Sequence, residues 1–337
     1  MSRAFICGCA GLGLGAEERA FIRDADPWGL ILFRRNVETP DQVSRLTAAF
    51  RDISGRADAP VLVDQEGGRV QRLGPPHWPK YPAASLFRRL ANNAFEQASL
   101  VRLAARLMAH DLRAVGITVD CLPVLDVPSP GGHSVIGDRA YADDAVNVAL
   151  LGRAAAEGLI AGSVLPVVKH MPGHGRAGAD SHLELPVVVA SLVELEAADF
   201  LPFRMLSDMP LAMTAHVVFR AVDPDGPATT SRKVVRDVMR GHIGYEGLII
   251  TDDLSMKALS GGFTGRTRAA FRAGVDMALH CNGDLAEARQ VAEGVPPLRG
   301  KAQRRADAAL ARIRHVPEPL DVEAARAYLS AALARLG

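Results

Sequence analysis

The sequence predicts an α/β protein, a single (β/α)8 TIM-type barrel with extra helices at its C-terminal end. Short β-like apolar runs alternate with longer helical stretches along almost all of the 337-residue chain. A single strand followed by a helix, repeated about eight times, predicts parallel strands joined by helical crossovers. Eight such units in roughly 290 residues fit a closed barrel better than an open doubly wound sheet.

The predicted strands are eight apolar runs, at residues 4–9, 29–33, 60–64, 117–120, 164–169, 211–214, 248–251 and 276–280. Helical stretches lie between them, at 17–22, 40–53, 94–114, 146–161, 193–205, 233–240, 266–273 and 285–293. Thr39-Pro40 and Ser191 suit helix starts, because a hydroxyl accepts a free N–H and proline fits a first turn. Two further helices, 298–314 and 322–336, end the chain. We therefore expect one domain over residues 1–337, with the barrel over about 1–296 and helices over about 297–337.

Composition excludes several classes of protein. Lys and Arg number 39 against 38 Asp and Glu, so the chain has no broad basic field for nucleic acid. No apolar run approaches the roughly 18 residues of a spanning helix, and glycines interrupt the apolar N-terminus, which argues against a signal peptide. The four cysteines, including the Cys7/Cys9 pair, are expected in buried strands and not in a disulfide or metal site. A cytoplasmic protein without membrane or nucleic-acid partners is predicted.

Polar residues directly follow most of the predicted strands. Active sites of α/β barrels lie at the C-terminal ends of the strands, so these residues are the candidates. Each of them could instead cap a helix or form a loop salt bridge, but together they predict a polar pocket. They are Arg35-Asn36, Asp64-Gln65-Glu66, Asp126, Lys169-His170, His216, Asp252-Asp253 and Asn282.

The densest cluster runs from Lys169 to His182 and holds three of the ten histidines. Its glycines, at 173, 175 and 178, allow the loop to move and its backbone to approach a ligand. Asp180 and His182 are one residue apart, so in an extended loop both side chains lie on the same side. A carboxylate there would orient the imidazole and raise its basicity, which suits proton transfer near neutral pH. The alternative is a solvated loop with incidental histidines.

Asp252 ends an uncharged apolar run, which would hold its carboxylate rigidly at the barrel mouth and suits a nucleophile. Asp253 is expected to point the other way and to cap the next helix. His170, His174 and His182 with Asp252 could alternatively bind zinc, as in barrel amidohydrolases. The strand-borne H-x-H pair of such enzymes is absent, and Lys169 would repel a cation. We therefore expect no metal and no cofactor.

These residues resemble the motifs of a known family. Lys169–Gly175 followed by Asp180-Ser181-His182 resembles the K-H-F-P-G-H-G…D-S-H loop of bacterial β-N-acetylglucosaminidases of glycoside hydrolase family 3. The similarity runs from about residue 5 to about residue 295 with its motifs in order. Further matching segments are Leu32–Asn36, Asp64–Val70, Pro123–Asp126, Ile136–Arg139, Met213–His216 and Thr251–Met256.

The resemblance implies a metal-free, retaining exo-β-N-acetylglucosaminidase of peptidoglycan recycling. Its implied substrate is terminal β-1,4-linked GlcNAc on a muropeptide, GlcNAc–1,6-anhydro-MurNAc with or without peptide, and its implied state is a monomer or weak homo-oligomer. It assigns Asp252 as nucleophile, and His182, oriented by Asp180, as general acid/base. Larger family members take their acid from an added C-terminal domain, whereas here we expect the dyad to supply it. The sugar-binding residues it implies are Asp64, Arg69, Arg139, Lys169 and His170.

Several alternatives stay open on the sequence. A broader β-hexosaminidase or a β-glucosidase would use the same machinery, and a non-catalytic barrel would only sequester the sugar. A neutral histidine base repels an anion less than a second carboxylate would, so we hypothesise that phosphate competes with water. Met171, Cys121 and Ala140-Tyr141 depart from the family pattern, and we expect them near the pocket, where they would affect the leaving group accepted.

Overall fold

The computed structural model describes residues 2–129 and 132–336. Within them, parallel strands close a barrel in which each strand pairs with its neighbours in chain order and the last pairs with the first. This confirms the predicted fold class, and each of the eight predicted runs forms a barrel strand. The barrel strands are β1 (Arg3–Gly8), β2 (Pro27–Leu32), β3 (Val61–Val63), β4 (Val119–Asp120), β5 (Leu165–Met171), β6 (Leu211–Thr214), β7 (Leu248–Asp253) and β8 (Met277–His280).

Helices surround the barrel at all of the predicted positions. Thr39 and Ser191 begin helices as expected, since their hydroxyls accept the N–H groups of Gln42 and Glu194 at 3.2 and 3.3 Å. Among the described residues, none of the helices combines the length and apolar character needed to cross a bilayer. The longer helices are Ala16–Ala25, Pro40–Ser54, Ala94–Ala114, Ala145–Ala161, Phe263–Ala273, Leu285–Gly294, Gly300–Ala311 and Val322–Leu333.

Two helical segments contain wider turns than an α-helix. The first runs through Leu192–Glu194, Leu195–Asp199 and Leu201–Met205, and the second is Val234–His242. In the first, Phe200 N–H donates to the carbonyl of Leu195 at 2.8 Å, five residues back, which is the π-helical pattern. Short helical turns also occur at Arg34–Asn36, Ala84–Leu86, Phe87–Leu90, Gly137–Arg139, Ala228–Thr230 and Ala334–Leu336.

The barrel strands are buried on both faces, as expected for parallel strands covered by helices. β2 and β3 consist entirely of buried residues. All four cysteines are buried free thiols; Cys7 lies in β1 and the others directly follow strands. Burial raises the pKa of Cys9 to about 12, which leaves this thiol protonated and unreactive at neutral pH.

The two ends of the barrel are covered differently. The C-terminal helices lie at the end where the strands begin: Arg305 pairs with Asp276 at 3.0 Å, just before β8. At the opposite end, two small sheets extend the connecting loops. Gln65–Gly67 pairs antiparallel with Val70–Gln71, and Val187–Val188 pairs parallel with Val218–Phe219. The end where polar residues follow the strands is therefore the end shaped by loops.

Candidate active site

A cavity of about 290 Å³ opens at the C-terminal ends of the strands. This strand-end cavity lies near the lower bound of ordinary ligand clefts, roughly 300–1,000 Å³, and suits a single sugar unit. All eight residues predicted for the site line it, so the fold brings together side chains up to 188 positions apart, from Asp64 to Asp252. The lining comprises Ile31, Phe33, Asp64, Glu66, Arg69, Val70, Arg72, Val135, Arg139, Lys169, His170, Asp180, His182, Met213, Asp252, Asp253, Leu279 and Cys281.

One wall of the cavity is a network of ion pairs centred on Lys169, which is 2% exposed. Its ammonium Nζ lies 2.9 Å from Asp64 Oδ1 and 2.7 Å from Glu66 Oε1. Arg139 donates to both oxygens of Glu66 at 2.8 Å, and Arg72 pairs with Asp64 Oδ2 at 2.9 Å. Each buried charge therefore faces opposite charges at hydrogen-bond distance, the condition under which buried charges are tolerated.

These contacts keep the network ionised. Burial by itself would raise the pKa of Asp64 and of Glu66, but the charge of Lys169 and of the paired arginine lowers both pKa values below the ordinary range. Burial would likewise lower the pKa of Lys169, yet the two carboxylates outweigh it and raise that pKa. The wall thus presents fixed charged groups, which suit hydrogen bonds to sugar hydroxyls.

Asp252 stands at the end of β7, with its backbone N–H 3.3 Å from Thr214 Oγ1. Its Oδ1 accepts the N–H of Asp253 at 2.8 Å. Burial alone would raise the pKa of Asp252, but the nearby His170 and His216 imidazoles outweigh that effect and lower the pKa. An ionised carboxylate therefore faces the cavity, the form that a nucleophile requires.

Buried polar partners orient the two imidazoles near Asp252. His170 Nδ1 lies 2.7 Å from Asp126 Oδ2, and Asp126 is fully buried. The Nδ1 of His216 lies 2.7 Å from Thr229 Oγ1 and its Nε2 lies 3.0 Å from the carbonyl of Asp253. Both rings are thus fixed by their hydrogen bonds, and burial lowers the pKa of His216.

Asp180 and His182 form the predicted pair on the loop after β5. His182 Nδ1 lies 2.8 Å from Asp180 Oδ1, and the same oxygen accepts the His182 backbone N–H at 2.9 Å. Burial acts to raise the pKa of Asp180, but these hydrogen bonds outweigh it and lower the pKa, so the ionised carboxylate accepts and Nδ1 donates. The His182 side chain is 66% exposed, which leaves Nε2 accessible for proton transfer.

The dyad loop, residues 172–182, is attached at two points close to the pair. Ser181 Oγ lies 3.0 Å from Nε2 of the buried His174, and the Ser181 carbonyl accepts the N–H of Ala258 at 3.3 Å. At Gly175 a Cβ atom would lie 1.9 Å from the carbonyl oxygen of Val127, so only glycine fits there. This glycine therefore lets the loop pack against the segment after Asp126, and the predicted approach of the loop backbone to a ligand stays a prediction.

Three polar residues at strand ends hold the loops around the cavity, and one of them, Asp253, also lines it. Arg35 and Asn36 each donate to the backbone carbonyl of Cys9 at 3.0 Å and so connect two loops. The predicted helix cap at Asp253 is wrong, since the next helix begins at Phe263. The Asp253 carboxylate instead closes a tight turn by accepting the N–H of Ser255 at 3.0 Å. It also accepts the N–H of Cys281, directly after β8, at 3.1 Å.

Glu66 and Arg72 have ion-pair roles that the sequence did not predict. Asp64 and Arg69, in the same motif, were predicted. A sequence motif identifies the segment, but it does not show which distant residues its side chains pair with. Arg69, which is half-exposed at 48%, pairs with Asp138 at 2.8 Å and braces the loop that carries Arg139. Among the described residues that line the cavity, none is Met171, Cys121, Ala140 or Tyr141, because these side chains are buried. Cys121 is nevertheless close enough to Lys169, and Tyr141 to Glu66, for the charges to affect their pKa values. An effect of these departures on the leaving group stays a prediction.

Comparisons with known proteins give one consistent result. A model of the glycosyl hydrolase family 3 N-terminal domain matches residues 12–316. A beta-hexosaminidase of Pseudomonas aeruginosa is 39% identical over 285 residues, covering 84% of this chain and 83% of the relative. One from Alkalilimnicola ehrlichii is 40% identical over 280 residues, covering 82% and 79%.

Solved structures agree with the sequence relatives. NagZ from Neisseria gonorrhoeae, in complex with N-trifluoroacetyl-D-glucosamine, superposes with a TM-score of 0.87 at 32% identity, covering 98% of both chains. A family 3 beta-N-acetylglucosaminidase from Paenibacillus gives 0.79 at 33% identity, covering 98% of this chain and 61% of that one. Because the family model matches nearly the whole barrel and the relatives align over most of their length, this chain belongs to glycosyl hydrolase family 3.

Proposed function

We propose that the protein is a retaining exo-β-N-acetylglucosaminidase that removes terminal β-1,4-linked GlcNAc from muropeptides in cytoplasmic cell-wall recycling. One observation carries the proposal. A single sugar-sized cavity brings together the ionised carboxylate of Asp252 and the accessible imidazole of His182, which is hydrogen-bonded to Asp180. The similarity to bacterial beta-hexosaminidases supports this substrate class.

In the first chemical step, the Asp252 carboxylate attacks the anomeric carbon of the bound sugar. His182, protonated on both ring nitrogens, transfers the Nε2 proton to the leaving oxygen as the glycosidic bond breaks. The products are a glycosyl ester of Asp252 and the free aglycone. Asp180 accepts the Nδ1–H throughout and stabilises the imidazolium before transfer.

In the second step, the now neutral His182 removes a proton from water. The water oxygen attacks the anomeric carbon from the face that the aglycone left, and the Asp252 carboxylate departs. Two displacements restore the original configuration, which is the retaining outcome. Asp64, Arg139 and Lys169 are proposed to hold the sugar hydroxyls, with His170 and Arg69 completing the wall.

Similarity to a neighbour that binds an N-acylated sugar supports an N-acetyl sugar as the substrate. The gonococcal neighbour binds N-trifluoroacetyl-D-glucosamine, an N-acylated glucosamine, in a barrel of closely similar shape. A β-glucosidase would share the nucleophile and dyad but would favour a sugar without the acetamido group. Matched aryl β-glucosides and aryl β-N-acetylglucosaminides separate the two, and we expect the second series to be hydrolysed faster.

The test of the mechanism compares two variants on two kinds of leaving group. Asp252→Ala should nearly abolish turnover of both, because the other carboxylates that line the cavity are engaged elsewhere. Asp64 and Glu66 pair with Lys169, Asp180 holds His182, and Asp253 closes a turn. His182→Ala should slow a disaccharide substrate by about 10²–10⁴-fold. An activated aryl glycoside needs little acid assistance and should lose much less. Glu184→Ala, exposed on the adjoining segment, is the matched control and should change neither rate.

Other results would contradict the proposal. Equal losses on both substrates for His182→Ala would remove this residue as the acid. An absence of turnover of any β-N-acetylglucosaminide by the wild-type protein would favour a sugar-binding barrel. Loss of activity on chelation, with recovery on adding zinc, would favour the amidohydrolase alternative.

A further inference from the structure

A second cleft, of about 610 Å³, lies beside the strand-end cavity. We call it the side cleft. One part of its lining is the segment that continues from the dyad loop, with Leu185 and Val187, and another is the loop 257–261 that continues from Asp252. Arg220 and the turn 224–227 also line it.

The side cleft is continuous with both catalytic segments. Leu185 follows His182 by three residues, and Lys257 follows Asp252 by five. The two segments meet where the Ala258 N–H donates to the carbonyl of Ser181, at 3.3 Å, inside the Asp180–His182 motif. The side cleft therefore begins within a few residues of His182 on one segment and of Asp252 on the other.

The lining combines apolar surface with unpaired positive charge. Leu185 and Val187 are 38% and 43% exposed and so present apolar surface to the cleft. Arg220 and Lys257 are exposed, and neither side chain has a hydrogen-bond or ion-pair partner among the described residues. Arg266 also lines the cleft, but its guanidinium is held by backbone carbonyls, including that of Leu254.

The charge balance of the side cleft favours an anionic occupant. Asp225 is the one acidic residue among the described residues that line it, against Arg220, Lys257 and Arg266. A carboxylate bound between Arg220 and Lys257 would meet two cations that pair with no other described group. Methyl and methylene groups of the same occupant would cover Leu185 and Val187.

We propose that the side cleft binds the peptide carried by the leaving group, a short chain with free carboxylates and small apolar side chains. Because His182 must reach the leaving oxygen, the aglycone lies on the His182 side, where the side cleft begins. This inference rests on the proposed function and adds to it a binding site for the part of the substrate beyond the cleaved bond.

The experiment compares β-1,4-linked GlcNAc–1,6-anhydro-MurNAc with and without its peptide. The readout is the ratio of kcat/KM for the peptide-bearing to the peptide-free substrate. The double variant Arg220→Ala/Lys257→Ala should lower this ratio about tenfold, as expected for two partly exposed ion pairs. Arg220→Lys/Lys257→Arg keeps both charges and should retain most of the ratio. Arg268→Ala, an exposed cation outside the cleft, is the matched control and should leave it unchanged.

Salt gives a second readout that a purely structural role would not move. Raising NaCl from about 0.05 M to about 0.5 M should lower the wild-type ratio by screening the ion pairs. The same change should have little effect on the ratio of the double alanine variant. A ratio that is unchanged by the alanine substitutions, or a salt effect of equal size in both proteins, would overturn the side-cleft proposal.

The two proposals fail in different ways. If the wild-type protein hydrolyses both disaccharides but the kcat/KM ratio is the same in the Arg220→Ala/Lys257→Ala variant, only the side-cleft inference is wrong. If it hydrolyses neither disaccharide nor any aryl β-N-acetylglucosaminide, the proposed function falls and the side-cleft inference falls with it.

Discussion

Replacing Lys169 with methionine would remove the central cation of the buried network in the strand-end cavity. Methionine keeps the volume and flexibility of the side chain but cannot pair with a carboxylate. Asp64 Oδ1 and Glu66 Oε1, at 2.9 and 2.7 Å from Nζ, would both lose their partner. Arg72 still pairs with Asp64, and Arg139 with Glu66, so part of the compensation remains.

The expected loss follows from that remaining compensation. Removing one partner of a buried ion pair typically lowers the free energy of unfolding by about 3–5 kcal/mol. Because Arg72 and Arg139 still pair with the two carboxylates, we expect the lower figure, about 3 kcal/mol. For a chain of this length the unfolding entropy is about 0.7 kcal/mol/K, so Tm should fall by about 4 °C. Lys301→Met, an exposed lysine on the helix Gly300–Ala311, is the control and should shift Tm by less than about 1 °C.

The loss of Tm in Lys169→Met should depend on pH, and the pKa shifts of its partners give the direction. In the wild-type protein the pKa values of Asp64 and Glu66 are lowered, so their contribution to stability is present above the unfolded pKa of about 4 and is lost as pH falls through the folded values. Without Lys169 these pKa values rise, and the folded variant takes up protons at a higher pH. The Tm deficit should therefore be largest near pH 7.5 and smaller near pH 5.

Thermal unfolding of four proteins would check this reasoning. They are the wild type, Lys169→Met, Glu66→Gln and the double variant, each measured across that pH range. Glu66→Gln removes one of the two carboxylate charges that lose a partner in Lys169→Met. The fall in Tm of the double variant should therefore be smaller than the sum of the falls in the two single variants. A Lys169→Met protein with wild-type Tm, or a deficit equal at both pH values, would refute the network as described.

Three further predictions concern the dyad loop, a buried acid and the acceptor. Ser181→Ala removes the hydrogen bond to His174, so kcat should fall about fivefold while Tm stays unchanged. Proteolysis within residues 176–182 should become faster. An unchanged kcat would argue against a positioning role for Ser181. Burial raises the pKa of Asp120 well above its usual range, and we expect a neutral acid at pH 7. Asp120→Asn should then shift Tm by less than about 2 °C, whereas a large fall in a melting scan would show an ionised Asp120. In phosphate buffer, phosphate should intercept the glycosyl ester of Asp252 and mass spectrometry should detect a sugar-1-phosphate; its absence at every phosphate concentration would disprove that hypothesis.

The architecture and the chemical groups at the barrel mouth could be predicted from the amino-acid sequence. Strand–helix alternation is a local property, because apolar periodicity and helix caps depend on neighbouring residues. It predicted all eight barrel strands, and for Ala94–Ala114 even both helix boundaries. Parallel strands in a closed barrel bring their C-terminal ends together, so side chains following Val63, Val168 and Thr251 had to approach one another.

The pairing of those polar side chains depends on the packing of the folded chain. Arg35, Glu66 and Asp253 all lie at or just beyond strand ends. The first binds backbone carbonyls, the second joins Lys169 and Arg139, and the third closes a turn. A polar side chain takes the nearest good partner in space, and that partner can be more than one hundred positions away, as Lys169 is from Asp64. Strand spacing constrains the direction of a side chain, whereas its partner depends on the packing of the whole barrel and its loops.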